Sequence, residues 1–143
     1  MQAAVRRGFN IVELIIVTAI VGILAAVVIP RASSFLDSIE VRGAVTEIES
    51  LFSLARHVAI ARGAQSSIAI DPAAGTLTVQ SGTDTVRRRE VGPAHGVTIS
   101  ANRTLVTYSP TGLGFGASNL TLVVTRSQTT DTVVVSRLGR VRH

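Results

Sequence analysis

From residue 9 to residue 30 the only charged side chain is Glu13, and residues 14–29 carry no charge at all. Apolar residues fill every face of a helix drawn through this stretch. A buried helix of a water-soluble protein seldom stays apolar on all sides for so long. At about 1.5 Å per residue the segment reaches roughly 33 Å, close to the ~30 Å hydrocarbon core of a bilayer. After Pro30 the pattern becomes one-sided. Val41, Val45, Ile48, Phe52, Ala55 and Ala59 recur every three or four positions, flanked by Ala44, Leu51 and Val58. Glu40, Arg42, Glu47, Glu49, Arg56 and Arg62 fall mainly elsewhere. That spacing predicts an amphipathic helix over 31–63, stopped by Gly63. Pro30 removes a backbone donor and predicts a kink between the two parts.

Beyond residue 64 the period shortens to two. Strands are predicted over 66–70, 76–80, 85–91, 97–100, 105–109, 120–125 and 132–137, rich in Val and Thr as strand propensity favours. Asp71-Pro72-Ala73-Ala74-Gly75 reads as a hairpin turn. The expected fold class is α+β: a long N-terminal helix, membrane-spanning in its first part, packed on a small antiparallel β domain. A chain of 143 residues allows one modest domain.

Composition narrows the chemistry. There is no Cys, so disulfides, thiol nucleophiles and Cys-based metal sites are excluded. All 14 basic side chains are Arg and the formal charge is +5. If residues 1–8 are removed, Arg6 and Arg7 go with them and the charge falls to +3, a weak basis for a nucleic-acid partner. One Tyr, four Phe and no Trp argue against stacking on single strands. His57, His95 and His143 are scattered, without metal-ligand spacing. No nucleophile elbow is present, and Ser109–Gly116 lacks the Lys-Ser/Thr and helix of a phosphate loop. We therefore expect no catalytic residues, no metal, no cofactor and no enzyme activity. Arg87-Arg88-Arg89 reads as a solvated strand edge, because neighbours on a strand point to opposite faces.

Glu13 is the informative anomaly. A carboxylate inside a membrane segment costs on the order of 3 kcal/mol at mid-membrane and less near the interface, so it implies a use. Arg6 and Arg7 place the N-terminus in the cytoplasm and the C-terminal part across the membrane. A cleavable secretory signal fits less well, since no Ala-x-Ala site closes the apolar run.

The string Gly8-Phe9-Asn10-Ile11-Val12-Glu13, set between a basic start and an apolar run, resembles the type IV prepilin family. Asn10-Ile11-Val12 departs from the Thr-Leu-Ile common there. The resemblance implies cleavage between Gly8 and Phe9 by a prepilin peptidase and methylation of the new Phe9 amine. It gives Glu13 a role in filament assembly, pairing with a neighbour's Phe9 amine, and it makes Pro30 a familiar helix kink. Leu54-Ala55-Arg56-His57-Val58-Ala59-Ile60-Ala61-Arg62-Gly63 is similar to the end of the long helix in the GspH/FimT subgroup. Arg56 and Arg62 read there as structural side chains.

The implied organisation is a leader over 1–8, a transmembrane or filament-core helix over 9–30, an amphipathic helix over 31–63 and a periplasmic β-rich domain over 64–143. The implied location is the bacterial inner membrane, single-pass, and then a filament. Expected partners are the prepilin peptidase, other pilin or pseudopilin subunits and the inner membrane. The first reading is a minor pseudopilin of a type II secretion system. The alternative is a minor type IV pilin of the FimT/FimU kind, with Arg137, Arg140 and Arg142 of the C-terminal tail binding DNA. A single-pass binding protein that never polymerises is a rival from another class, but it has no need of Glu13.

Overall fold

The computed structural model describes residues 10–115, 119–136 and 140–142. Its element order is helix α1 (Ile11–Arg62), strands β1 (Ser66–Asp71), β2 (Thr76–Ser81) and β3 (Asp84–Arg89), helix α2 (Val91–His95), then β4 (Thr98–Ala101), β5 (Leu105–Tyr108), β6 (Gly114–Phe115), β7 (Leu120–Arg126), β8 (Thr129–Val135) and β9 (Val141–Arg142). The chain divides into two compact units, one ending at Phe35 and the other running from Leu36 to His143.

In the first unit α1 starts at an Asn cap. The Val12 amide donates to Asn10 Oδ1 (3.1 Å) and the Leu14 amide to the Asn10 carbonyl (3.1 Å). The side-chain bond satisfies one of the donors that every helix start leaves open, and the backbone bond is the first of the helix itself. The large apolar side chains between Ile11 and Ile29 are exposed. The Thr18 hydroxyl bonds back to the Leu14 and Ile15 carbonyls, hiding a polar group of the uncharged stretch 14–29. This part of α1 is long and apolar enough to cross a membrane, with a mean hydropathy of 2.9. Pro30 sits inside α1, which is helical on both sides of it.

The second unit is built on the stripe read from the sequence. Val41, Ala44, Val45, Ile48, Leu51, Phe52, Ala55 and Ala59 of α1 are all buried. They meet Ile68, Leu77, Val79, Val106, Tyr108, Leu120, Leu122, Val124 and Val133 in one core. Gly63 closes the helix at φ +59°, with the Ala64 amide donating to the Ala59 carbonyl (3.3 Å), the left-handed cap that Gly tolerates best.

Two antiparallel sheets complete the unit, ordered β3-β2-β1-β5-β6 and β4-β7-β8-β9. Alternation sets their faces: Ile68 and Ile70 of β1 point inward with Leu77 and Val79 of β2, in the register Ile68↔Val79 and Ile70↔Leu77. A close backbone contact joins the β1–β2 turn to α2, where the Gly92 amide donates to the Gly75 carbonyl at 2.8 Å.

The long helix packed on antiparallel sheets is the expected α+β fold, with local corrections. The strand predicted over 85–91 stops at Arg89, and Val91 opens α2 instead. Pro93 has no amide for a ladder but is tolerated in a first helical turn. His95 ends α2. The strand predicted over 132–137 begins three residues earlier, at Thr129. Two short strands went unpredicted. β6 lies in the Gly-rich segment, where Thr107↔Phe115 and Tyr108↔Gly114 pair across a turn, and β9 pairs Val135↔Val141 and Val134↔Arg142.

Candidate functional sites

Gly8 and Phe9, the expected cleavage and methylation residues, lie outside the described residues, as does Arg137 of the tail. Glu13 stands in the first turn of α1, three residues after the capping Asn10. An acid there lies at the positive end of the helix dipole. It is an exposed carboxylate on an otherwise apolar helix surface.

A second group of polar residues holds the amphipathic part of α1 to the rest of the second unit. His95 Nδ1 lies 2.9 Å from Glu40 Oε2, and His95 Nε2 lies 3.2 Å from Glu47 Oε2. Both contacts are hydrogen bonds when the ring carries two N–H groups. Gly43, one turn from each acid, leaves room for the ring: a Cβ there would sit 3.0 Å from His95 Cε1. Glu47 also meets Arg89 Nε of β3 at 3.3 Å. Arg126 of β7 donates through Nε to Asp37 Oδ1 (2.8 Å) and through a terminal nitrogen to the His95 carbonyl. Hydrogen bonds from Ser127 and Arg126 hold the Asp37 carboxyl below its ordinary value of 3.8. This seam has a positioning task, and among the described residues no His/Asp/Glu group is arranged to hold a metal.

The basic side chains divide into paired and unpaired sets. Arg62 pairs with Asp84 (3.4 Å), Arg89 with Glu47 and Arg126 with Asp37. Arg87 and Arg89 lie opposite Val79 and Leu77 on β3, an outer strand of its sheet. The predicted solvated edge is thus present. Arg140 and Arg142 are exposed two residues apart at β9, also an outer strand. They share a cleft of about 460 Å³ with Val141 and with Glu49, Ser53 and Arg56 of α1. Sequence reasoning gave Arg56 a structural role and did not join it to the tail. The available signal was the spacing of Glu49, Ser53 and Arg56, which places all three on one helix face.

Among the described residues Tyr108 is the one buried polar oddity. The residue is fully buried and its hydroxyl has no hydrogen-bond partner among the described residues. Burial pushes the phenol up to about 12, against an opposing pull from Arg56.

Comparison with known proteins converges on one family. The family model described as type II transport protein GspH matches residues 44–139, two-thirds of the chain. The fold is similar to the crystal structure of the type IV minor pilin FimU of Pseudomonas aeruginosa, with a TM-score of 0.63 and 18% identity, covering 76% of this chain and 90% of that one. It is also similar to the minor pseudopilin EpsH from the type 2 secretion system of Vibrio cholerae, with a TM-score of 0.57 and 13% identity, covering 72% and 94%. A fimbrial protein of Pseudomonas aeruginosa is 44% identical over 46 residues, which is 32% of this chain and 30% of that protein's length. With the GspH model spanning most of the β domain and a pilin-like fold beneath it, the chain belongs to the GspH family of type IV pilin-like minor subunits.

Proposed function

We propose that this chain is a minor pseudopilin of a type II secretion system, processed and then built into a short periplasmic filament that drives protein export. The observation that carries the reading is the exposed apolar part of α1, which bears a single acid near its start. Such a surface needs lipid or neighbouring helices around it. In this reading residues 1–8 are the leader, cut by a prepilin peptidase between Gly8 and Phe9, after which the Phe9 amine is methylated. Residues 9–30 rest in the inner membrane and then in the filament core, residues 31–63 continue the helix past Pro30, and residues 64–143 form the periplasmic domain. Glu13 pairs with the Phe9 amine of a neighbour. Two charges in a dry bundle offset each other's burial cost, whereas one left alone is strongly unfavourable. Glu13→Ala should therefore reach the membrane and be cleaved, yet be absent from purified filaments. Wild-type incorporation of that variant would refute the role.

A second reading is a minor type IV pilin that binds DNA through its C-terminal arginines. The exposed Arg140 and Arg142 and the likeness to FimU favour it. Deletion of the gene separates the two. A secretion subunit leaves folded exoproteins stranded in the periplasm with pili intact, and a pilus subunit does the reverse.

A further inference from the structure

The cleft between α1 and β9 has walls of unusual composition. Glu49, Ser53 and Arg56 rise at steps of four and three along one face of α1, and Arg140 with the two residues of β9, Val141 and Arg142, lines the other side. Three guanidinium groups thus meet one carboxylate and one hydroxyl. Among the described residues Arg56, Arg140 and Arg142 form no ion pair, whereas Arg62, Arg89 and Arg126 each do. Val141, partly buried against the core, adds an apolar floor. A volume of about 460 Å³ suits one or two side chains of a partner.

We propose that this cleft is a docking site for an acidic protein segment, one or two carboxylates beside an apolar side chain, presented by a different subunit of the filament. The partner's identity as a filament subunit rests on the proposed function. Guanidinium forks match carboxylates in a two-bond geometry, and Ser53 can donate a further hydrogen bond. Glu49 in the wall opposes a continuous run of phosphates, and the +3 charge expected of residues 9–143 gives no broad field for a polyanion. A second copy of this chain is a poorer occupant, because most acids of its second unit are already engaged, the exposed Glu90 being the exception, and Glu13 lies on the apolar part of α1. Asp37, Glu40, Glu47 and Asp84 lie in ion pairs, and Asp71 and Asp131 accept backbone amides.

The test uses the full chain in neutral detergent micelles and two labelled probes, an oligoglutamate peptide and a short DNA duplex of equal charge. The peptide should bind, and Arg56→Gln/Arg140→Gln should weaken it by about tenfold or more. Arg88→Gln, which removes an equal kind of charge from the β3 edge, should leave binding within about twofold. Unchanged melting of the variants shows that the fold survives. Tighter binding of the duplex overturns the proposal in favour of nucleic acid. Equal loss in Arg88→Gln reduces it to bulk charge, and absence of peptide binding removes it. The measurement needs no filament, so its failure is distinct from failure of Glu13→Ala to behave as expected.

Discussion

Tyr108 offers a test of how the β domain balances packing against polarity. Its ring fills the core, but its hydroxyl is buried with no partner among the described residues. Leaving such a hydroxyl unpaired costs about 1–3 kcal/mol. Tyr108→Phe keeps the ring and removes the oxygen, forfeiting only a few dispersion contacts, each about 0.1–0.2 kcal/mol. The variant should therefore be more stable than the parent by roughly 1 kcal/mol. The phenol is raised from 10.0 to about 12, chiefly by burial. A raised folded value means that the native state holds its proton longer than the unfolded one. Stability is then fully present below pH 10 and declines as pH rises towards 12. The difference between these values corresponds to roughly 3 kcal/mol at most. The chain is well suited to the measurement, since it has a single Tyr and neither Trp, Cys nor Lys. Tyrosinate absorbance therefore reports this residue alone, and few other groups titrate in that window. Denaturant unfolding in detergent at neutral and alkaline pH should show a more stable Tyr108→Phe with a flatter alkaline limb. A loss of more than about 1 kcal/mol in the variant, or tyrosinate forming near pH 10 in the folded chain, would refute the reasoning.

Gly75 and Gly92 supply a second test. A Cβ on Gly75 would sit 2.7 Å from the Gly92 Cα, and Gly75 has φ +63°. Gly75→Ala should cost about 3 kcal/mol or more, by combining left-handed strain with a clash against backbone. Gly82→Ala has φ +62° but open space, and should cost only about 1 kcal/mol. Equal thermal shifts would show that the contact is unimportant. On the acid side, Asp37 is depressed by its bonds to Ser127 and Arg126. Its contribution is present above pH 3.8 and lost as pH falls through the lower folded value. Asp37→Asn should flatten the acid limb of a melting profile, and an unchanged slope would exclude this pair as its source.

The sequence carried the helix well because its signals were long and redundant. A charge-free run and a stripe of eight buried positions leave no competing period. The strands were legible where alternation ran for five or more residues, as in β1, β2 and β7. It failed where structure depends on tertiary pairing. β6 and β9 are two residues each and exist only through the ladders at Thr107–Tyr108 and Val134–Val135. α2 was hidden because Val91 prolongs the apparent alternation of β3, whereas it is buried in the core from the first turn of α2. For the candidate sites, local sequence pointed to Glu13 and the Arg tail as expectations but not to the residues around them. The meeting of Arg56 with Arg140 and Arg142, and of His95 with Glu40 and Glu47, joins residues far apart in sequence.

The stripe from Val41 to Ala59 has a mechanical consequence. These side chains are centrepieces of the β domain's core, yet they belong to the same unbroken helix that carries the apolar segment. No linker separates an anchor from a load. Under the proposed filament role, a subunit pulled out of a bilayer by its helix transmits tension directly into its own core. The force that can be applied through the helix is then limited by the shear strength of that packing. Loosening a single stripe residue such as Phe52 should lower the force at which the domain yields before it lowers the domain's solubility.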